Sequence, residues 1–404
     1  MPVIGPFAVV VGIGLALGAV AADAGAAPLV PERVVIVGRA AAGAPWTDRP
    51  TEARLGDDAE LAVVVIGREG RRRVVVADAE LAPLWLGGRA VRGGERRDLA
   101  ALGPVRVQWS TVEPHGFRPG PAANGATSAF YANVSTEARD FGRWLGYDRI
   151  AYFERVLAPW SEAAEARRVA ARVVAHEPGA MPAPLAGLGT VRYKAEVEVG
   201  GARLATPGAE ATDPYGLTAR VHRVSIRSGD DFVGWLAAYL LVPEVFGSAG
   251  GGRNHQTERF TGADCADVLV GALRRSGRAD VPYTNVAGLP RFATAVASAT
   301  ALDDDGRPAA PITGVRRGDL IRIDYGGALA GHTPRAWDHV AALWEDRSDP
   351  DGPHRGGPDG MLDGFDLVIH MGHPRLVVEP LARQSPATVD VLRWRPRPGV
   401  RSGR

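Results

Sequence analysis

The chain has 404 residues, enough for two or three domains of ordinary size, and its 46% apolar and 23% charged residues exclude a disordered chain. A net charge of +1, with arginines scattered rather than gathered into a stripe, supplies no field to draw in nucleic acid or an anionic membrane surface. At the N-terminus, Met1 to Ala22 is uncharged, and Phe7 to Gly18 is an apolar core. Small residues with Ala-x-Ala spacing follow (Ala19-Val20-Ala21, Ala22-Asp23-Ala24, Ala24-Gly25-Ala26). This predicts a signal peptide over residues 1–27 and a mature protein that is secreted or periplasmic, with no membrane attachment after cleavage. An uncleaved N-terminal anchor is the rival expectation.

Residues 28–110 read as a β-sandwich-like domain. Arg33–Val37, Glu60–Ile66 and Arg72–Val76 are β-branched runs between turns, and Val105–Trp109 alternates with period two. Residues 111–229 read as a second mostly-β segment with one helix, able to share a sheet with the first. The alanine-rich stretch Ser161–Ala175 predicts the helix. Thr190–Val199, Gly200-Gly201 and Ala202–Thr206 predict a hairpin, and Val221–Ile226 a further strand. Neither segment carries recognisable site chemistry.

From residue 230 the character changes. Phe232–Leu241 is an apolar helix, followed by a Gly-rich polar loop and then Gly262-Ala263-Asp264-Cys265 at the start of a helix running to Ser276. Cys265 is the only cysteine, which excludes an intrachain disulfide and any multi-cysteine metal site. A helix start is expected to lower the thiol pKa toward neutrality, and its free first-turn N–H groups can receive an oxyanion. Strands beginning near Leu320, His339 and Asp366 follow, and the last two carry His339 and His370. A thiol at a helix start facing histidines on adjacent strands is the papain-type solution, so an α+β fold is predicted over residues 230–395, with a disordered tail over 396–404.

In order, Glu244-Val245-Phe246-Gly247-Ser248, Asp264-Cys265-Ala266-Asp267, Val281-Pro282-Tyr283-Thr284, Arg317-Gly318-Asp319-Leu320, His339-Val340-Ala341-Ala342-Leu343 and Ile369-His370-Met371 resemble the motifs of the NlpC-type cell-wall cysteine peptidases. The resemblance covers the C-terminal domain only. It implies a papain-like fold, no cofactor and no metal, and Cys265 as nucleophile, His339 as base and His370 as the group that orients it. It also implies cleavage of an amide bond, with peptidoglycan stem peptides or another peptide as partner. Glu244, where the family commonly has a tyrosine that polarises the substrate carbonyl, and Asp264 are the candidate substrate-binding residues. Insertions around Ala299–Pro311 and Asp346–Gly364 depart from the family's spacing.

Three rivals stand beside this expectation. His332, His339, His370 and His373 could form a zinc site, but none of them makes a His-x-x-x-His pair. The Asp/Gly-rich Asp346–Asp366 stretch faintly resembles a calcium loop but lacks the full ligand pattern, so a solvated acidic loop is expected. A non-catalytic wall-binding or scaffold protein, or an acyltransferase using the same residues, would retain the same fold.

Overall fold

The computed structural model describes residues 28–114, 152–174, 183–213, 215–245, 247–249, 256–326, 337–372, 375–384 and 387–397. Residues 1–27, where a signal peptide is expected, the Gly250–Gly252 run, His332 and His373 lie outside the described residues. The chain is mixed α+β and mostly strand. Among the described residues no helix is long and apolar enough to cross a membrane.

Residues 29–227 build two facing sheets. Leu29–Arg39 pairs antiparallel with Glu60–Glu69, which continues into Arg72–Val76. The second sheet runs Tyr152–Ser161, Val105–Pro114, Gly189–Val199, His222–Arg227, Thr51–Arg54, with the last pair parallel. Val34, Ile36, Leu61, Val63 and Val65 pack against Val107, Trp109, Tyr193 and Val197 in one core. Alternate residues of the same strands, Val37, Ala62, Val64 and Ile66, join Trp46 and Leu84 in a second cluster. Coverage on both faces explains why Leu61–Ile66 is an unbroken apolar run rather than an alternating one. The expected boundary at residue 110 falls inside Val105–Pro114, which pairs with Gly189–Val199. The two N-terminal segments therefore share one sheet.

The helix expected over Ser161–Ala175 does not form. Tyr152–Ser161 is a strand on Val105–Pro114, Ala164–Arg167 is a single 3₁₀ turn, and Arg168–Ala170 pairs with Glu60–Ala62. Alanine propensity amounts to tenths of a kcal/mol per residue, and ladder pairing to two existing sheets outweighs it.

The C-terminal unit places three helices, α1 (Phe232–Ala237), α2 (Gln256–Arg259) and α3 (Cys265–Arg275), against an antiparallel sheet. The strand order is Ala293–Ala301, Thr388–Trp394, Leu320–Asp324, His339–Glu345, Leu367–Met371, Leu376–Pro380. Its two faces follow the period of two. Leu320, Val340, Ala342, Ile369 and Leu392 pack toward the helices. Ile321, Ile323, Ala341, Leu343, Val368 and Val391 pack on the other face with Leu302, Ile312 and Leu362. Leu302 and Leu362 come from the two insertions, which thus roof the face away from the helices.

Polar contacts join the helical layer to the sandwich. Arg192 donates to the carbonyls of Phe260 (3.1 Å) and Arg259 (2.6 Å), and Thr190 Oγ1 donates to Ala238 O (2.7 Å). Glu52 accepts from Arg275 (2.9 Å) and from Arg223. The segment leading into Cys265 is held from both sides.

Candidate active site

Cys265 is the first residue of α3, and Asp264 is its N-cap. The approach is tight. Val245 N donates to Ala263 O (2.9 Å) and Ala263 N to Pro243 O (3.0 Å), and a side chain at Gly262 would place its Cβ 2.4 Å from Val245 Cγ2. Only glycine fits where this strand-like segment crosses into the helix. Asp264 Oδ1 accepts from Ala266 N (3.0 Å) and Asp267 N (2.7 Å), and its Oδ2 accepts from Gly247 N (3.1 Å). Both oxygens are engaged with backbone, so Asp264 shapes the turn into Cys265. The first-turn N–H groups are likewise not all free: the Asp264 cap occupies two of them, and Cys265 N–H is the one left for an oxyanion.

Behind the cap lies Asp267, buried and accepting from Ser248 Oγ (2.8 Å) and Ala249 N (2.7 Å). Burial, reinforced by Asp264, pushes the Asp267 carboxyl well above the carboxylate range, and burial raises Asp264 as well. Glu244 is half-buried and bridges to Ala263. Burial and then Asp264 push it up to about 7.

These carboxyls reverse the expectation for the thiol. Burial, then Asp264 and Asp267, raise Cys265 well above the ordinary thiol value, and Glu244 adds to the rise. A backbone hydrogen bond from Val340 works against it and does not win. The helix dipole lowers thiol pKa only where no anions crowd it. Here burial comes first, and the three acids add to it.

His339 begins its strand, and α3 packs across that strand. Its Nε2 lies 2.8 Å from His370 Nδ1, with the rings edge-on at 84°. Burial, with a further contribution from His370, lowers His339 to about 3, so it is a neutral imidazole at ordinary pH. His339 and His370 share the face of Ala341 and Val368, whereas Val340 packs toward the helices. The Val340 N–H that acts on the sulfur belongs to the peptide that follows His339. Among the described residues no hydrogen bond joins Cys265 Sγ to either ring, and His339 Nε2 is engaged by His370.

Beyond the expected residues stands Glu379, on the edge strand Leu376–Pro380. Its Oε1 lies 3.0 Å from His370 Nε2 and accepts from Gln384 Nε2 at 2.9 Å. Gln384 Oε1 accepts from Tyr325 Oη, and the Tyr325 ring stacks on His339 with centroids 6.4 Å apart. The hydrogen bond to His370, with Arg383 nearby, holds Glu379 below the usual carboxylate range despite its burial. Sequence reasoning missed Glu379 and Gln384, because only strand pairing (Val368 opposite Glu379) brings them to His370.

The Asp/Gly-rich insertion is not a solvated loop throughout. Asp366 is fully buried and accepts from Arg347 N (2.9 Å) and Asp363 N (2.8 Å), and Asp346 accepts from Asp359 N and Gly360 N (3.0 Å each). Its carboxylates order their own loop. Among the described residues no group of three or more His, Cys, Asp or Glu side chains is arranged to hold a metal. No protein-family model matches the chain, and no curated protein or solved structure is similar to it.

Proposed function

We propose that the chain is an exported cysteine hydrolase with a papain-like C-terminal domain of the NlpC type, cleaving an amide bond in peptidoglycan stem peptides. The observation that carries this reading is the succession Cys265 at a helix start, that helix packed on the strand which His339 begins, and His339 engaged with His370. In the resting state the pair is a neutral thiol and a neutral imidazole. The thiol proton passes to His339 Nδ1 as sulfur attacks the carbonyl carbon, so His339 acts as general base rather than as half of a standing ion pair. The oxyanion takes the Cys265 N–H. Glu244, largely protonated just below neutral pH, stands where the family has its tyrosine and can donate a second hydrogen bond. The imidazolium then protonates the leaving amine, and water hydrolyses the thioester. A different acceptor in place of water would make the same residues an acyltransferase.

The test is digestion of peptidoglycan by the purified protein. New amino groups are expected from wild type and none from Cys265→Ala. Identical muropeptide profiles from the two would remove the wall substrate. The elevated thiol favours one rival, a non-catalytic wall-binding protein of the same fold. Absence of any acyl-enzyme on Cys265 with activated amide and ester probes would select it.

A further inference from the structure

We propose that Glu379 is a positioning residue that sets the direction of proton flow at the candidate site by fixing the tautomers of both histidines. The inference rests on the reading of Cys265 and His339 as nucleophile and base. A carboxylate only accepts hydrogen bonds. With Glu379 Oε1 3.0 Å from His370 Nε2, that nitrogen carries the hydrogen. If His370 carries only that hydrogen, its Nδ1 is a bare lone pair and His339 Nε2, 2.8 Å away, is the donor. Neutral His339 is left with an unprotonated Nδ1, the form that accepts a thiol proton. When that proton arrives, His339 becomes an imidazolium with hydrogens on both nitrogens. No further proton moves, and the Glu379 charge stabilises the cation through His370.

The neighbourhood makes this choice exclusive. Gln384 Nε2 sits 3.5 Å from His370 Nε2 as well as 2.9 Å from Glu379. Tyr325 Oη donates to Gln384 Oε1, which keeps the Gln384 NH₂ turned inward. Without the carboxylate, Gln384 becomes the donor to His370 Nε2. His370 Nδ1 would then carry the hydrogen and donate to His339 Nε2, and His339 Nδ1–H would face the thiol with nothing to accept.

The test is long-range ¹H–¹⁵N NMR of the histidine rings, which reads tautomers without turnover. The protein has nine histidines, few enough to assign with His339→Gln and His370→Gln. In wild type both rings should show Nε2–H and a bare Nδ1. Glu379→Gln should move a measurable fraction of both to Nδ1–H, and Glu379→Asp should restore much of the wild-type pattern. On an amide substrate, Glu379→Gln should lower kcat by about 10- to 100-fold with KM nearly unchanged. A wild-type His370 bearing Nδ1–H, or tautomers unaltered in Glu379→Gln, would overturn the proposal. Tautomers that behave as described in a protein that cleaves nothing would uphold it and remove only the hydrolase reading.

Discussion

Replacing Asp264 with alanine tests whether the nucleophile turn is built by its cap. The carboxylate satisfies Ala266 N, Asp267 N and Gly247 N. Loss of an N-cap costs about 1 kcal/mol, and leaving a partly buried N–H such as that of Gly247 without a partner costs roughly 1–3 kcal/mol more. Asp264→Ala should therefore lose about 2–4 kcal/mol, a large part of the 5–15 kcal/mol that holds a typical domain together. Asparagine caps as well as aspartate, but its amide nitrogen cannot accept from Gly247 N, so Asp264→Asn should keep the cap and lose roughly 1–3 kcal/mol, less than alanine. Urea unfolding followed by tryptophan fluorescence measures both, provided the transition stays cooperative. An alanine variant within about 0.5 kcal/mol of wild type, or an asparagine variant more damaged than the alanine one, would refute the capping account.

Iodoacetamide should label Cys265 at pH 7 more slowly than a free cysteine, because the raised thiol pKa leaves less thiolate. His339→Ala should change that rate little, and rapid labelling at pH 6 would restore the ion pair. Stability against pH should be nearly flat between about 4.5 and 6.5, where two opposing sets of groups offset each other. Below 6.5 the unfolded chain protonates His339 and His222, which the fold keeps neutral down to about 3, so their contribution falls with falling pH. Glu244 and Asp366 hold protons in the fold up to about 7 and about 8, so they stabilise at low pH and that stability is lost as pH rises through those values. A Tm that climbs steadily from pH 6 to pH 9 would contradict this. Arg322→Met, which strands the buried Asp390 partner of a bidentate pair, should cost about 3–5 kcal/mol, and Arg322→Met with Asp390→Leu should recover most of it. Equal stability of the single and double variants would exclude the buried pair as the cause.

Much of the C-terminal architecture was legible because its signals are local. The helix start at Cys265, Gly262 at the turn before it and the strands carrying His339 and His370 all act within a few residues of themselves, whereas Asp264, expected to bind substrate, turns out to cap that helix. The stretch Ser161–Ala175 misled because its local preference for helix is real but small, and its partners, Val105–Pro114 and Glu60–Ala62, lie about a hundred residues or less upstream. The thiol was misjudged for a related reason. The helix start is written beside Cys265, but Glu244 and the burial of Asp267 exist only after packing. Glu379 follows the same rule: nothing in Leu-Val-Val-Glu-Pro marks its glutamate until the edge strand docks beside His370.

The parallel pairing of Thr51–Arg54 with His222–Arg227 has a consequence for synthesis. His222 Nε2 and Thr51 Oγ1 meet at 3.0 Å across 171 residues of chain. The early strands thus cannot complete their sandwich until nearly the whole N-terminal half has emerged, and closing so long a loop makes for slow folding. Glu52, on that same short strand, also binds Arg275 at the far end of the nucleophile helix. The short strand that closes the front half is therefore also an anchor for the helix that begins at Cys265.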